Sequence, residues 1–161
     1  MICHPPSGLL AAQRTASLRG DVDLLATLLP LLLRNYLAHG LYDQADRLIA
    51  RAGFPDETAG NGQLARWGYY VGRVRAIQLN YSEANSNLQQ AVRRAPEAKV
   101  APGFLQTATK LSVLVELLMG EIPERKLFRD PVLKASLAPY LAIAQGEHPL
   151  VLFAETVLYP C

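Results

Sequence analysis

One pattern of small and apolar residues occurs twice in this chain of 161 residues, the second copy 39 residues after the first. The copies read Tyr42-x-x-Ala45-x-x-x-Ile49-x-x-Ala52 and Tyr81-x-x-Ala84-x-x-x-Leu88-x-x-Ala91. Steps of three and four residues place the members of each copy on one face of a helix. A recurrence at this period is typical of stacked helical hairpins. The repeat therefore limits the chain to an architecture built of paired helices.

The residue types of the second copy fit close helix packing. Gly72, twelve residues before Ala84, lacks a side chain, so the backbones of two paired helices can approach. Tyr81 is expected to bury its ring near the turn, and Pro96 ends the second helix. One such hairpin cannot bury both faces and stacks on the next. The spacing predicts an all-α, right-handed solenoid of tetratricopeptide-like helical hairpins. The first copy matches the pattern less strictly, because Leu33 occupies the position that corresponds to Gly72 of the second copy.

A bundle of ordinary amphipathic helices is the alternative, since small residues at helical spacing occur in any all-α protein. Gly68-x-x-x-Gly72 matches a membrane dimer motif, but neighbouring arginines favour close helix packing in water.

Glycine and proline residues mark the ends of the predicted helices. Asp21 is predicted as the N-cap of the second helix, Pro30 as the site of a kink in it, and Gly53 as a left-handed cap. The predicted helices cover residues 9–18, 22–39, 42–52, 63–79 and 81–95, a long helix from Pro102 or Gly103 to Gly120, a short helix from 123, and 131–145.

The chain is expected to consist of three parts. Residues 1–20 form an N-terminal segment with a weak helix, 21–145 hold the tetratricopeptide-like repeats, and 146–161 are a C-terminal tail whose last helix caps the array. The longest apolar run, 24–33, is shorter than the roughly 20 residues that cross a bilayer. No targeting or membrane segment is predicted. Cys3 and Cys161 lie at opposite ends, which favours free thiols and a reducing location, the cytoplasm and nucleus.

Residues that could carry chemistry are scattered. His4, His39 and His148 are far apart, and the two cysteines lack metal-ligand spacing. Gly60-Asn61-Gly62 lacks the Lys-Ser/Thr of a phosphate-binding loop. We therefore expect no catalytic site, no cofactor, no metal and no small-molecule substrate, hence no enzyme.

A formal charge of +2 is too small to indicate nucleic-acid binding. The arginines after Gln63 are expected to form a solvated face or a rim that pairs with acidic neighbours. A peptide-binding tetratricopeptide adaptor is an alternative. Adaptors that hold C-terminal carboxylates use Lys and Asn on the first helix of each hairpin, where this chain has Pro30, Arg34, Tyr69 and Arg73.

Several longer strings carry a family resemblance. They are Leu31-Leu-Leu-Arg-Asn-Tyr-Leu37, Leu41-Tyr-Asp-Gln-Ala-Asp46, Gly72-x-x-x-Ala76-Ile-Gln-Leu-x-Tyr-Ser-Glu-Ala84, Arg94-Ala-Pro96, 113–118, Gly120-Glu-Ile-Pro-Glu-Arg125 and Leu137-x-Pro-Tyr140. From about residue 11 to 145 the chain resembles the helical-repeat part of the regulatory subunit 3 family of the 26S proteasome lid, within the PCI proteins.

The resemblance implies a non-catalytic scaffold that supports ubiquitin-dependent protein degradation, with other proteasome lid subunits as its protein partners. The chain departs from the family after Gln145, and we expect no counterpart of the family's PCI domain within these 161 residues. A scaffold of a related PCI complex, the signalosome or the translation initiation complex, is the other alternative.

Overall fold

A computed structural model describes residues 7–145 of the chain. Within that range every regular element is a helix, so the predicted all-α class with tetratricopeptide-like hairpins is confirmed. The α-helices are α1 (Ser7–Arg19), α2 (Val22–Ala38), α3 (Tyr42–Arg51), α4 (Asn61–Ile77), α5 (Tyr81–Arg93), α6 (Pro102–Leu118) and α7 (Lys134–Ala144). The expectations for the tail after Gln145, for both cysteines and for His4 and His148 lie outside the described residues.

Helix ends in the first half follow from local chemistry. The Asp21 carboxylate accepts a hydrogen bond from the backbone N–H of Leu24 at 3.0 Å, which caps α2 as predicted. Gly20 and Gly40, both with φ of 67°, form the turns after α1 and α2. At such angles a Cβ crowds the backbone, so glycine is favoured. α2 continues through the buried Pro30, and the predicted kink stays a prediction.

The left-handed cap predicted at Gly53 is wrong. α3 ends at Arg51, and Ala52 already has extended angles, φ −82° and ψ 112°. The chain therefore leaves the helix by straightening, which requires no positive φ at Gly53. The sequence could not distinguish the two exits, because a glycine before Phe54–Pro55 suits both.

The chain divides into two compact units, with the boundary between Pro96 and Glu97. In the first unit α2 packs against α1, α3 and α4, and α4 packs against α2, α3 and α5. Hairpin α2–α3 thus stacks on hairpin α4–α5 mainly through the first helix of each. α1 also joins this stack by packing on α2.

The core of the first unit lies where α2, α3 and α4 meet. Its buried members are Leu32, Leu33, Tyr36, Leu37, Ala45, Val71 and Val74. Because α4 has neighbours on several sides, residues on more than one of its faces are buried. Gly68 and Gly72 of α4 are buried too, on the side that meets α5.

In the second unit α6 and α7 pack together over a short core. That core consists of Val113, Phe128, Leu133 and Leu137. The helix predicted from Pro123 is wrong, since only a 3-10 turn, Leu127–Arg129, forms there. α7 starts three residues after Pro131, because the Asp130 carboxylate accepts from the N–H of Val132 at 2.8 Å and holds a turn.

No helix in the described range 7–145 combines the length and the apolar character needed to cross a membrane.

Candidate interaction site

The tightest helix contact in the first unit lies between α4 and α5. A Cβ placed on Gly72 would be 2.7 Å from Leu88 Cγ and 3.2 Å from the carbonyl oxygen of Ala84. One turn earlier, a Cβ on Gly68 would lie 3.1 Å from the carbonyl oxygen of Asn87. Both glycines therefore face α5 at distances that no larger residue allows without movement of the backbone or of Leu88.

Residues of the second repeat copy line this contact. Ala84, Leu88 and Ala91 are buried on the face of α5 that meets α4. Tyr81, which was expected to bury its ring, is only partly buried at the start of α5. Pro96 follows the end of α5 at Arg93 by three residues. Three of the four residues of the second copy thus pack against α4, and the first, Tyr81, stays partly exposed.

The first repeat copy is less buried. Ala45 is fully buried, Ile49 packs against the core from its edge, and Ala52 is the C-cap of α3. Tyr42 is 42% exposed, so the prediction that it belongs to the buried stripe of α3 is wrong. Tyr42 is the first residue of α3, directly after the turn at Gly40, so its ring lies beside the turn rather than between helices.

A polar network, which sequence reasoning missed, joins three helices of the first unit. Arg75 on α4 places Nη1 2.6 Å from Asp46 Oδ1 on α3 and Nε 3.0 Å from Glu83 Oε1 on α5. The Asn80 side-chain amide donates to Glu83 Oε2 at 2.8 Å and holds that carboxylate. Asp46 lies 29 positions before Arg75 and Glu83 lies 8 positions after it, so no local sequence pattern indicates the network.

The same stack exposes a cationic and aromatic surface on α4. Arg66, Tyr70 and Arg73 share one helix face at four- and three-residue steps, and Arg34 of α2 lies nearby. Burial raises the pKa of the Tyr70 phenol, while the guanidinium groups of Arg34, Arg73 and Arg66 lower it in part. This surface suits contact with acidic groups rather than catalysis.

No group of three His, Cys, Asp or Glu side chains is placed to hold a metal ion among the described residues. His39, the one histidine within that range, is exposed at the end of α2.

Several proteins of known name have a region similar in sequence to this chain. The chain is 52% identical over 133 residues to the "Probable 26S proteasome non-ATPase regulatory subunit 3" of Anopheles gambiae, covering 83% of the chain and 26% of the relative. It is 50% identical over 140 residues to the 26S proteasome non-ATPase regulatory subunit 3 of Dictyostelium discoideum, covering 87% and 27%. Homolog A of this subunit in Arabidopsis thaliana is 45% identical over 139 residues, covering 86% and 28%.

The chain therefore spans about a quarter of the length of the curated relatives that it matches. A family model described as "PSMD3-like, N-terminal TPR repeats" matches residues 6–144. This range includes every helix of the described structure, and both repeat copies lie within it. The chain belongs to the PSMD3-like family, and it carries that family's N-terminal tetratricopeptide repeats.

Proposed function

We propose that this chain acts as a non-catalytic scaffold in the lid of the 26S proteasome regulatory particle and so supports ubiquitin-dependent protein degradation. The observation that carries the proposal is the match of residues 6–144 to the PSMD3-like repeats, together with relatives named as proteasome regulatory subunits. The partners would be other lid subunits, and the location would be the cytoplasm and nucleus.

The described architecture supports a binding role for this scaffold. Stacked hairpins present extended helix surfaces, which is how repeat proteins contact their partners. The α4 surface of Arg66, Tyr70 and Arg73 offers positive charge beside an aromatic ring, the composition found at protein interfaces. Exposed Leu31 on α2 and Ile77 on α4 add apolar area.

The relatives reported above also bear on the rival functions. Each of them carries a proteasome subunit name, which favours the proteasome over the signalosome and the translation initiation complex. The peptide-adaptor alternative is supported only by the basic surfaces of the first unit. Such adaptors bind a C-terminal carboxylate through Lys and Asn, and this chain has Arg34, Tyr69 and Arg73 at the matching positions.

Affinity purification of the tagged 161-residue chain from cells tests the proposal. Mass spectrometry should recover proteasome lid subunits with the chain in amounts well above those obtained with the tag alone. A variant with Arg66→Glu and Arg73→Glu, checked by circular dichroism for an unchanged helix content, should recover less if the α4 surface takes part. Recovery of signalosome or translation initiation subunits in place of lid subunits would contradict the proposal.

A further inference from the structure

A groove separates α1 from α3 in the first unit. Both helices pack against α2, but α1 and α3 do not contact each other in the described part of the chain. Between them lies an open depression with a volume of about 350 Å³. Its lining includes Gln13, Tyr36, Gln44, Arg47, Leu48 and Arg51. The groove is separate from the α4–α5 contact and from the arginine surface of α4.

The α3 wall of the groove carries two positive charges. Arg47 and Arg51 are four residues apart, so their side chains project from one face about 6 Å apart. Both are exposed, and neither forms an ion pair within residues 7–145. Asp46 is already held by Arg75. Asp43, one turn before Arg47, does not pair with it within 4.0 Å either, so both guanidinium groups can accept a carboxylate from a partner.

The other lining groups suit a polypeptide. Gln13 on α1 and Gln44 on α3 present carboxamides, each with donors and an acceptor that match a peptide backbone. The buried ring of Tyr36 and the side chain of Leu48 supply apolar surface. Burial raises the pKa of the Tyr36 phenol, so Tyr36 stays neutral at physiological pH and does not offset the arginines.

We propose that the α1–α3 groove binds a short acidic segment of a partner polypeptide in extended conformation, with two carboxylates two residues apart on Arg47 and Arg51. Alternate side chains of an extended peptide point to one side at intervals of about 6.6 Å, which matches the spacing of the two arginines. Each guanidinium can hold a carboxylate through two parallel hydrogen bonds. The open depression of about 350 Å³ leaves room for such a segment to lie along the surface.

Titration of the isotope-labelled 161-residue chain with the peptide acetyl-Gly-Glu-Ala-Glu-Gly-amide tests this inference by NMR. Shift changes should concentrate on α1 and α3, and the affinity should fall as salt rises, because the contacts are ionic. A second peptide with Gln in place of both Glu residues should cause no comparable shifts. The double variant Arg47→Gln, Arg51→Gln should bind the acidic peptide at least tenfold more weakly.

The matched control is Arg93→Gln, Arg94→Gln, which removes the same charge from exposed positions at the end of α5. This control should bind the acidic peptide as the unmodified chain does. Equal losses in the two double variants, or shift changes centred on α4, would overturn the groove assignment. Tighter binding of a single-stranded RNA oligonucleotide than of the acidic peptide, with the same Arg47 and Arg51 dependence, would overturn the choice of partner.

Discussion

Gly72 on α4 lies so close to Leu88 on α5 that a Cβ on the glycine would be 2.7 Å from Leu88 Cγ. Real Cβ atoms do not approach a neighbour this closely, and the carbonyl of Ala84 closes the other side at 3.2 Å. At this separation of the two helices, a larger residue at position 72 requires Leu88 or the helix backbone to shift.

Gly72→Ala should lower the free energy of unfolding of the first unit by about 1–3 kcal/mol, because the added methyl overpacks the hairpin. Urea denaturation followed by the fluorescence of Trp67, the single tryptophan, measures the effect. Gly62→Ala, on the same helix with no atom within 4 Å of its Cβ, is the control. It should leave stability unchanged or raise it by about 0.5–1 kcal/mol. Equal midpoints for the two variants would contradict the close packing.

Leu79 adopts φ of 65° in the turn between α4 and α5, where the turns after α1 and α2 use glycine. The left-handed conformation costs a residue with a Cβ about 1–2 kcal/mol. Leu79 is also 71% exposed, so its side chain contributes little packing in return. Leu79→Gly should raise the free energy of unfolding by about 0.5–1 kcal/mol after the larger chain entropy of glycine is subtracted.

Gly40→Leu is the reverse substitution, at a turn glycine with positive φ and with no atom within 4 Å of the added Cβ. It should lower stability by about 1–2 kcal/mol from backbone strain alone. Thermal melts of both variants check the pair. A Leu79→Gly protein that melts well below the unmodified chain would show that the leucine side chain stabilises the turn.

Arg75 connects Asp46 on α3 to Glu83 on α5, with 19% of its side chain exposed. Arg75→Lys keeps the charge but loses the fork that reaches both carboxylates. Because both acids are more than a third exposed, solvent screens the pairs, and the expected loss is about 0.5–1 kcal/mol. Urea denaturation at low and high salt should show a difference that shrinks in high salt. An Asp46→Asn, Glu83→Gln background should remove the effect of Arg75→Lys.

Burial raises the pKa of Tyr36 above the ordinary tyrosine value of 10.0. The folded chain thus favours the neutral phenol, and the unfolded chain loses this proton first. The stabilisation is fully present below pH 10 and is lost as pH rises through the folded pKa. Tyr36→Phe should show a shallower loss of stability between pH 10 and the folded pKa, measured by urea denaturation. An identical pH profile in the two proteins would contradict a buried, titrating Tyr36.

Sequence reasoning reached the hairpin because its signals are local. Gly72, Ala84 and Leu88 lie within seventeen residues, and helical geometry alone relates their faces. The cap at Asp21 and the glycine turn at Gly40 were accessible for the same reason. Tyr42 was placed wrongly, since its exposure depends on where α2 ends relative to α3.

The amino-acid sequence by itself determined the helices of the first unit, their breaks, and the small residues that allow α4 and α5 to pair, because backbone propensity and helical period act over a few residues. Only the tertiary structure decided that Arg75 bridges Asp46 and Glu83 and that Arg47 and Arg51 border a groove. These relationships depend on the positions of α1, α3 and α4 against α2. Those positions are set by the packing of whole helices, which no local sequence pattern specifies.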